Sequence, residues 1–216
     1  MVLASGSPQR RAILERLGVA FTVRPTDVPE LDRGDPAAVA LENALRKGRA
    51  AQRPGAGTGV EARPGAGAET GAGAGAEAGA GTGVGPDGAG ELVLGCDTLV
   101  ALDRVIYGKP RDERDARATL RALGGATHEV FSGLALLRGD AERTAVVRTA
   151  VTFRELGEEM LDWYLAQGEW RGRAGGYAIQ GAGAALVRSV EGDYENVVGL
   201  PLAALLDICP ELLLCR

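Results

Sequence analysis

Histidine, cysteine and aromatic residues are scarce in this 216-residue chain. A single histidine, His128, excludes a multi-histidine metal site and argues against acid–base chemistry run by histidine. The three cysteines, Cys96, Cys209 and Cys215, have neither the number nor the spacing of a disulfide framework or a metal-binding motif. A reducing cytoplasm is the expected compartment. No apolar run is long enough to span a bilayer. The N-terminus has no basic stretch ahead of a long apolar one, so no signal peptide is expected. Basic excess is missing too: the net charge is −5, which argues against a general nucleic-acid binder. Neither a Walker A motif nor a dinucleotide fingerprint occurs.

What is present fits a soluble globular protein, with 45% apolar and 25% charged residues. Glycine and alanine fill most of residues 51–90, with Val60 and Val84 as the only large apolar side chains. Such a stretch buries too little to offset its ordering entropy, and it reads as a flexible surface insertion. Without it about 175 residues remain, an ordinary single domain.

The remainder alternates strands and helices. Strands are expected over Phe21–Arg24, Leu92–Leu102 and Val105–Tyr107, with a turn at Asp103-Arg104. THEVFSGLALL and RTAVVRTAVTF flank Arg138-Gly139-Asp140 and predict a long hairpin. Helical periodicity appears over Pro36–Ala51, around Ala116, Leu120 and Leu123, around Met160, Leu161, Tyr164 and Leu165, and around Leu202, Leu205 and Leu206. GYAIQG reads as a short strand between glycine-rich ends, and ALVRSV as another. The pattern is α/β, with too much hairpin for an all-parallel sheet.

Several segments place polar groups where a bland core would not. After Val2-Leu3-Ala4 come Ser5, Gly6, Ser7 and Pro8, and then a helix carried by Ile13, Leu14 and Leu17. Ser7 suits the N-cap and Pro8 the first helical position. Arg10 then stands in the first turn, where a cation opposes the helix dipole unless an anion binds there. A plain capped helix with solvated arginines fits the same residues. Asp97 interrupts the apolar run VLGCDTLVAL, a costly place for a carboxylate that is not paired, hydrogen-bonded or on a metal. In YGKP, Pro110 holds Lys109 extended at a strand tip. Gln180 adjoins Gly181 where a backbone can approach a ligand closely. Lys47 on its helix and Glu30 in a loop are ambiguous alone. Cys96 and His128 read as structural. Jointly, Arg10, Lys47 and Lys109 with Asp97 and Glu30 suit a triphosphate and a divalent metal.

The segments LASGSPQRRAILERLGV, GCDTLV, YGKPRDERDARATLRALGG, EWRGRAGGYAIQG and NVVGLPL, in this order between Val2 and Ile208, resemble the Maf family of nucleotide pyrophosphatases, also described as septum-formation proteins. The resemblance implies one Maf-like domain over residues 1–210, interrupted by the 51–90 insertion. Its expected fold is related to the inosine triphosphatase group, a mixed β-sheet flanked by helices, with a long hairpin. It implies hydrolysis of a nucleoside triphosphate to the monophosphate and pyrophosphate with Mg²⁺ or Mn²⁺. Asp97, Lys47 and Lys109 fall on catalytic positions, Asp97 and Glu30 on metal positions, and Ser7, Arg10, Gln9, Thr98 and Gln180 on substrate positions. Thr98 and Gln180 lean toward the family's dTTP/UTP branch. Gln9 departs from it, because that branch usually has arginine there and the methylated-guanosine branch has tryptophan. The expected partner is the nucleotide, with neither nucleic acid nor membrane, and at most a second copy in a homodimer. The alternative is a non-catalytic nucleotide-binding regulator of cell division.

Overall fold

In the computed structural model, residues 1–52, 60–62 and 90–213 are described. Among these residues eight strands form one mixed sheet: β1 (Val2–Leu3), β2 (Phe21–Val23), β3 (Val60–Ala62), β4 (Val93–Leu102), β5 (Val105–Tyr107), β6 (Thr127–Arg138), β7 (Ala141–Phe153) and β8 (Val187–Glu191). Their order is β3-β2-β1-β4-β6-β7-β8, with β5 paired to the far end of β4. β1 runs parallel to β2 and β4, and the other pairings are antiparallel. The mixed α/β class, the long β6–β7 hairpin and the two-residue turn at Asp103-Arg104 agree with the sequence expectation. Both turn residues take positive φ, 50° and 66°, as a tight hairpin turn demands.

Among the described residues the six α-helices are α1 (Pro8–Arg16), α2 (Pro36–Gln52), α3 (Glu113–Leu123), α4 (Glu158–Ala166), α5 (Tyr194–Val198) and α6 (Leu202–Ile208). They cover the two faces of the sheet. Along β4 the side chains alternate with the pleat. Leu94 and Cys96 pack with Ile13 and Leu14 of α1 and Leu205 of α6. Val93 packs with Ala44 and Ala51 of α2, and Leu99 and Ala101 pack with Val39 and Ala40. Asp97 therefore faces α2 and Thr98 faces the α1 side.

Helix α2 lies almost in contact with the sheet because glycines underlie it. A Cβ on Gly95 would stand 2.2 Å from the Ala44 carbonyl oxygen, and one on Gly133 would stand 2.3 Å from that of Ala40. Register then makes a notch. β1 stops at Leu3, opposite Leu94, whereas β4 runs on to Leu102. The side of β4 beyond Leu94 is left without a β1 neighbour until β5 joins at Val100. Ligands in open α/β sheets lie beyond strand ends at such switch points.

Two expectations are corrected. GYAIQG is not a strand: Gly175 and Gly176 both take φ of 68°, and the segment runs between 3₁₀ turns at Ala174–Gly176 and Ala182–Leu186. Two left-handed residues in succession cannot continue an extended ladder. The insertion is also shorter than 51–90. Ala51 and Gln52 close α2, with Ala51 fully buried against Val2, Val93 and Leu137. Val60–Ala62 then pairs with the outer edge of β2, whose backbone accepts a partner whatever its side chains. The rest of the expected flexible segment lies outside the described residues, as does Cys215.

His128 is fully buried in β6, edge-on to Phe153 and Tyr177, with Nε2 2.9 Å from the Tyr177 hydroxyl. Burial lowers its pKa from the ordinary 6.5 to about 4. Between those values the unfolded chain binds the extra proton, so stability must fall as pH drops from 6.5 to 4. The loss expected from this group is about 3 kcal/mol. Urea unfolding of the wild type and of His128→Gln across that range measures it: the variant should lack this part of the slope, and parallel slopes would exclude the assignment.

Candidate active site

The notch opens into a cavity of about 540 Å³. All nine residues singled out in the sequence line it: Ser7, Gln9, Arg10, Glu30, Lys47, Asp97, Thr98, Lys109 and Gln180. Each arrives by a different local device. The loop after β1 delivers Ser7 and α1 delivers Gln9 and Arg10. Strand β4 carries Asp97 and Thr98, and α2 lays Lys47 over them. Lys109 follows β5, and Gln180 sits at an exposed rim between the 3₁₀ turns.

Asp97 is paired, as its place in an apolar strand requires. Its Oδ1 accepts from Lys47 Nζ at 2.5 Å and its Oδ2 from Asn43 Nδ2 at 2.9 Å. Lys47 is itself buried, and its Nζ also donates to Glu30 Oε1 at 2.6 Å. Lys109, exposed at the mouth, lies 3.3 Å from Glu30 Oε2. Burial raises the Glu30 pKa, but the hydrogen bond and charge of Lys47, followed by those of Lys109, outweigh it and leave the group below the ordinary carboxylate range. Glu30 is thus held ionised at neutral pH.

Arg10 is not the solvated arginine of a plain capped helix. It is buried and turned inward. Its Nε donates to the Gly199 carbonyl at 2.8 Å, Nη1 to Ser5 Oγ at 2.9 Å and Nη2 to Thr98 Oγ1 at 3.0 Å. All three acceptors are neutral, and two of the five guanidinium N–H groups remain free for a ligand. Among the described residues no carboxylate forms an ion pair with Arg10. A buried cation without a counterion is costly unless an anion joins it. At the same helix start, Ser7 Oγ accepts from Arg10 N at 3.5 Å and donates to Gln9 Oε1 at 3.2 Å. The Thr98 hydroxyl lies 2.8 Å from Ser132 Oγ, so it belongs to a polar cluster that Arg10 closes.

Sequence reasoning missed Asn43, Arg171 and Arg173. Arg171 and Arg173 line the cavity on either side of Gly172. Arg171 stacks on Trp170 with its guanidinium carbon 4.5 Å from the ring centre. Arg173 Nε is buried with no hydrogen-bond partner. The paired arginines of EWRGRAGGYAIQG were the available signal, overshadowed by its glycines. Asn43 precedes Lys47 by one helical turn, a polar residue on the buried face of α2.

A divalent ion was expected on Asp97 and Glu30. Among the described residues no group of three or more His, Cys, Asp or Glu is placed to hold a metal. Two hard carboxylates drawn to one ammonium do suit Mg²⁺ or Mn²⁺ in the mode where substrate phosphates and water complete the shell. Cys96 offers nothing to such an ion: it is fully buried, and burial raises its thiol pKa. No helix among the described residues is long and apolar enough to cross a membrane.

Comparison with known proteins bears on the same residues. A family profile described as Maf-like protein matches residues 1–212. A dTTP/UTP pyrophosphatase of Anaeromyxobacter sp. (strain Fw109-5) is 43% identical over 210 residues, covering 94% of this chain and 84% of the relative. The protein of the same name from Myxococcus xanthus (strain DK1622) is 42% identical over 202 residues, covering 94% and 87%. One from Pyrococcus furiosus is 35% identical over 210 residues, covering 96% and 93%.

Proposed function

From the premise that the chain belongs to the Maf family, we propose that it is a nucleoside triphosphate pyrophosphatase acting on dTTP and UTP. One observation carries this reading beyond likeness. Five cations and two carboxylates line the cavity of a chain whose net charge is −5. Positive charge is thus concentrated in this cavity. A triphosphate with a divalent ion is the ligand that balances it. The alternative, a non-catalytic regulator, is not favoured: relatives similar over most of the chain bear a pyrophosphatase name.

In this reading water attacks phosphorus, the bond between the α-phosphorus and its bridging oxygen breaks, and pyrophosphate leaves with that oxygen. Asp97 orients the water and takes its proton through a lone pair not used by Lys47 or Asn43. Lys47 and Lys109 balance the charge that grows on the departing pyrophosphate. Ser7, the first turn of α1 and the two free N–H groups of Arg10 bind phosphate oxygens. Asp97 and Glu30 would hold Mg²⁺ or Mn²⁺, which when bound would neutralise phosphate charge.

Thr98 and Gln180 support dTTP and UTP as the substrates. Gln9 is the departure, because its amide carries no charge and is turned onto Ser7. The expected kcat/KM is higher for dTTP and UTP than for CTP, GTP or methylated GTP. Gln9→Arg should widen that gap by restoring a forked cation. A wild type that prefers methylated GTP would overturn the substrate assignment, and a Gln9→Arg protein with unchanged ratios would remove position 9 from base reading.

A further inference from the structure

Asn43 touches no cavity surface, yet its amide is fully committed. It is 2% exposed. Nδ2 donates to Asp97 Oδ2 at 2.9 Å and to the Leu31 carbonyl at 3.0 Å, while Oδ1 accepts from Leu31 N at 2.8 Å. The amide cannot be reversed, because its oxygen would then face the Leu31 carbonyl and the Asp97 carboxylate. Leu31 is itself exposed, so core packing does not fix the backbone beside Glu30. Asn43 does.

Lys47 stands one turn further along the same face of α2 and bridges the same two carboxylates by charge. The two residues have different effects. Lys47 draws Asp97 and Glu30 together but leaves each free to swing about one ammonium. Asn43 is neutral and planar, and it sets the orientation of Asp97 and the course of the loop carrying Glu30. We infer that Asn43 is a positioning residue that holds Asp97 and Glu30 at the separation a divalent ion and a triphosphate require. This inference rests on the pyrophosphatase reading of the cavity.

Two measurements on Asn43→Ala test it. The first is steady-state kinetics with UTP. The second is Mn²⁺ binding followed by electron paramagnetic resonance, with a UTP analogue whose α,β-bridging oxygen is a methylene group, so that no turnover occurs. About a tenfold or greater loss in kcat and in Mn²⁺ affinity is expected, the usual scale for removing a group that orients a metal-binding carboxylate. Asn43→Asp should lose at least as much, because it keeps the acceptor for Leu31 N and sets a negative oxygen against Asp97. Asn43→Ser leaves room for water beside Leu31 and carries the test if Asn43→Ala does not fold. A lowered melting temperature with kcat within about twofold of the wild type and Mn²⁺ affinity unchanged would make Asn43 a packing residue only and overturn the inference. Failure of the wild type to hydrolyse UTP would instead count against the pyrophosphatase reading, while the Mn²⁺ comparison would still report on Asn43.

Discussion

Asp97→Asn is expected to fold and to lose about 100-fold or more in kcat, the scale of a lost general base. The substitution is nearly isosteric but cannot satisfy its neighbours. Asn43 is locked by Leu31 and must keep a donor pointed at position 97, while Lys47 Nζ points another at it from the opposite side. An amide offers one acceptor, so one of the two donors meets an N–H group. The fold is expected to survive because Lys47 keeps Glu30 as its partner at 2.6 Å. Steady-state turnover of UTP, alongside circular dichroism to verify folding, makes the measurement. Near-normal turnover in a folded variant would remove Asp97 from the chemistry.

Gly95→Ala should cause a large loss of stability. Its Cβ would lie 2.2 Å from the Ala44 carbonyl oxygen and 2.8 Å from Gly48 N, both backbone atoms of α2. No side-chain rotation relieves such a contact, so the helix must lift. Overpacking of this kind costs about 1–3 kcal/mol and sometimes more. The lift also carries Lys47 and Asn43 away from Asp97, so kcat should fall by at least about tenfold even where the protein is folded. Gly157→Ala is the control, since nothing lies within 4 Å of a Cβ there. Chemical denaturation and turnover of both variants decide it. If Gly95→Ala matches Gly157→Ala in both, close seating of α2 does not position the site.

How far the site could be read in advance follows from which residues act locally. Asp97 was legible because an acid interrupts a continuous apolar run, and the structure pairs it as burial demands. The β6–β7 hairpin was legible because Arg138-Gly139-Asp140 is a turn between two strand-like runs, and Gly139 takes φ of 57° there. The inward turn of Arg10 was not legible, because two of its three acceptors, Thr98 and Gly199, lie 88 and 189 residues away. Nothing in the first turn of α1 announces them. Asn43 was hidden for a similar reason: its two partners, Leu31 and Asp97, come from a loop and a strand that meet only in the folded chain. GYAIQG misled because Tyr177, Ala178 and Ile179 are buried like strand residues while Gly175 and Gly176 turn the backbone left-handed. The third strand was missed because it lies within a stretch rich in glycine and alanine.

In the proposed reaction, this cavity breaks the bond between the α-phosphorus and its bridging oxygen in a nucleoside triphosphate. Phosphorus-31 magnetic resonance of UTP incubated with the protein and Mg²⁺ tests it most directly, because the products resonate separately. UMP and pyrophosphate are expected to appear together in equal amounts, with no UDP. Formation of UDP and orthophosphate, or UTP left intact with Mg²⁺ and with Mn²⁺, would contradict it.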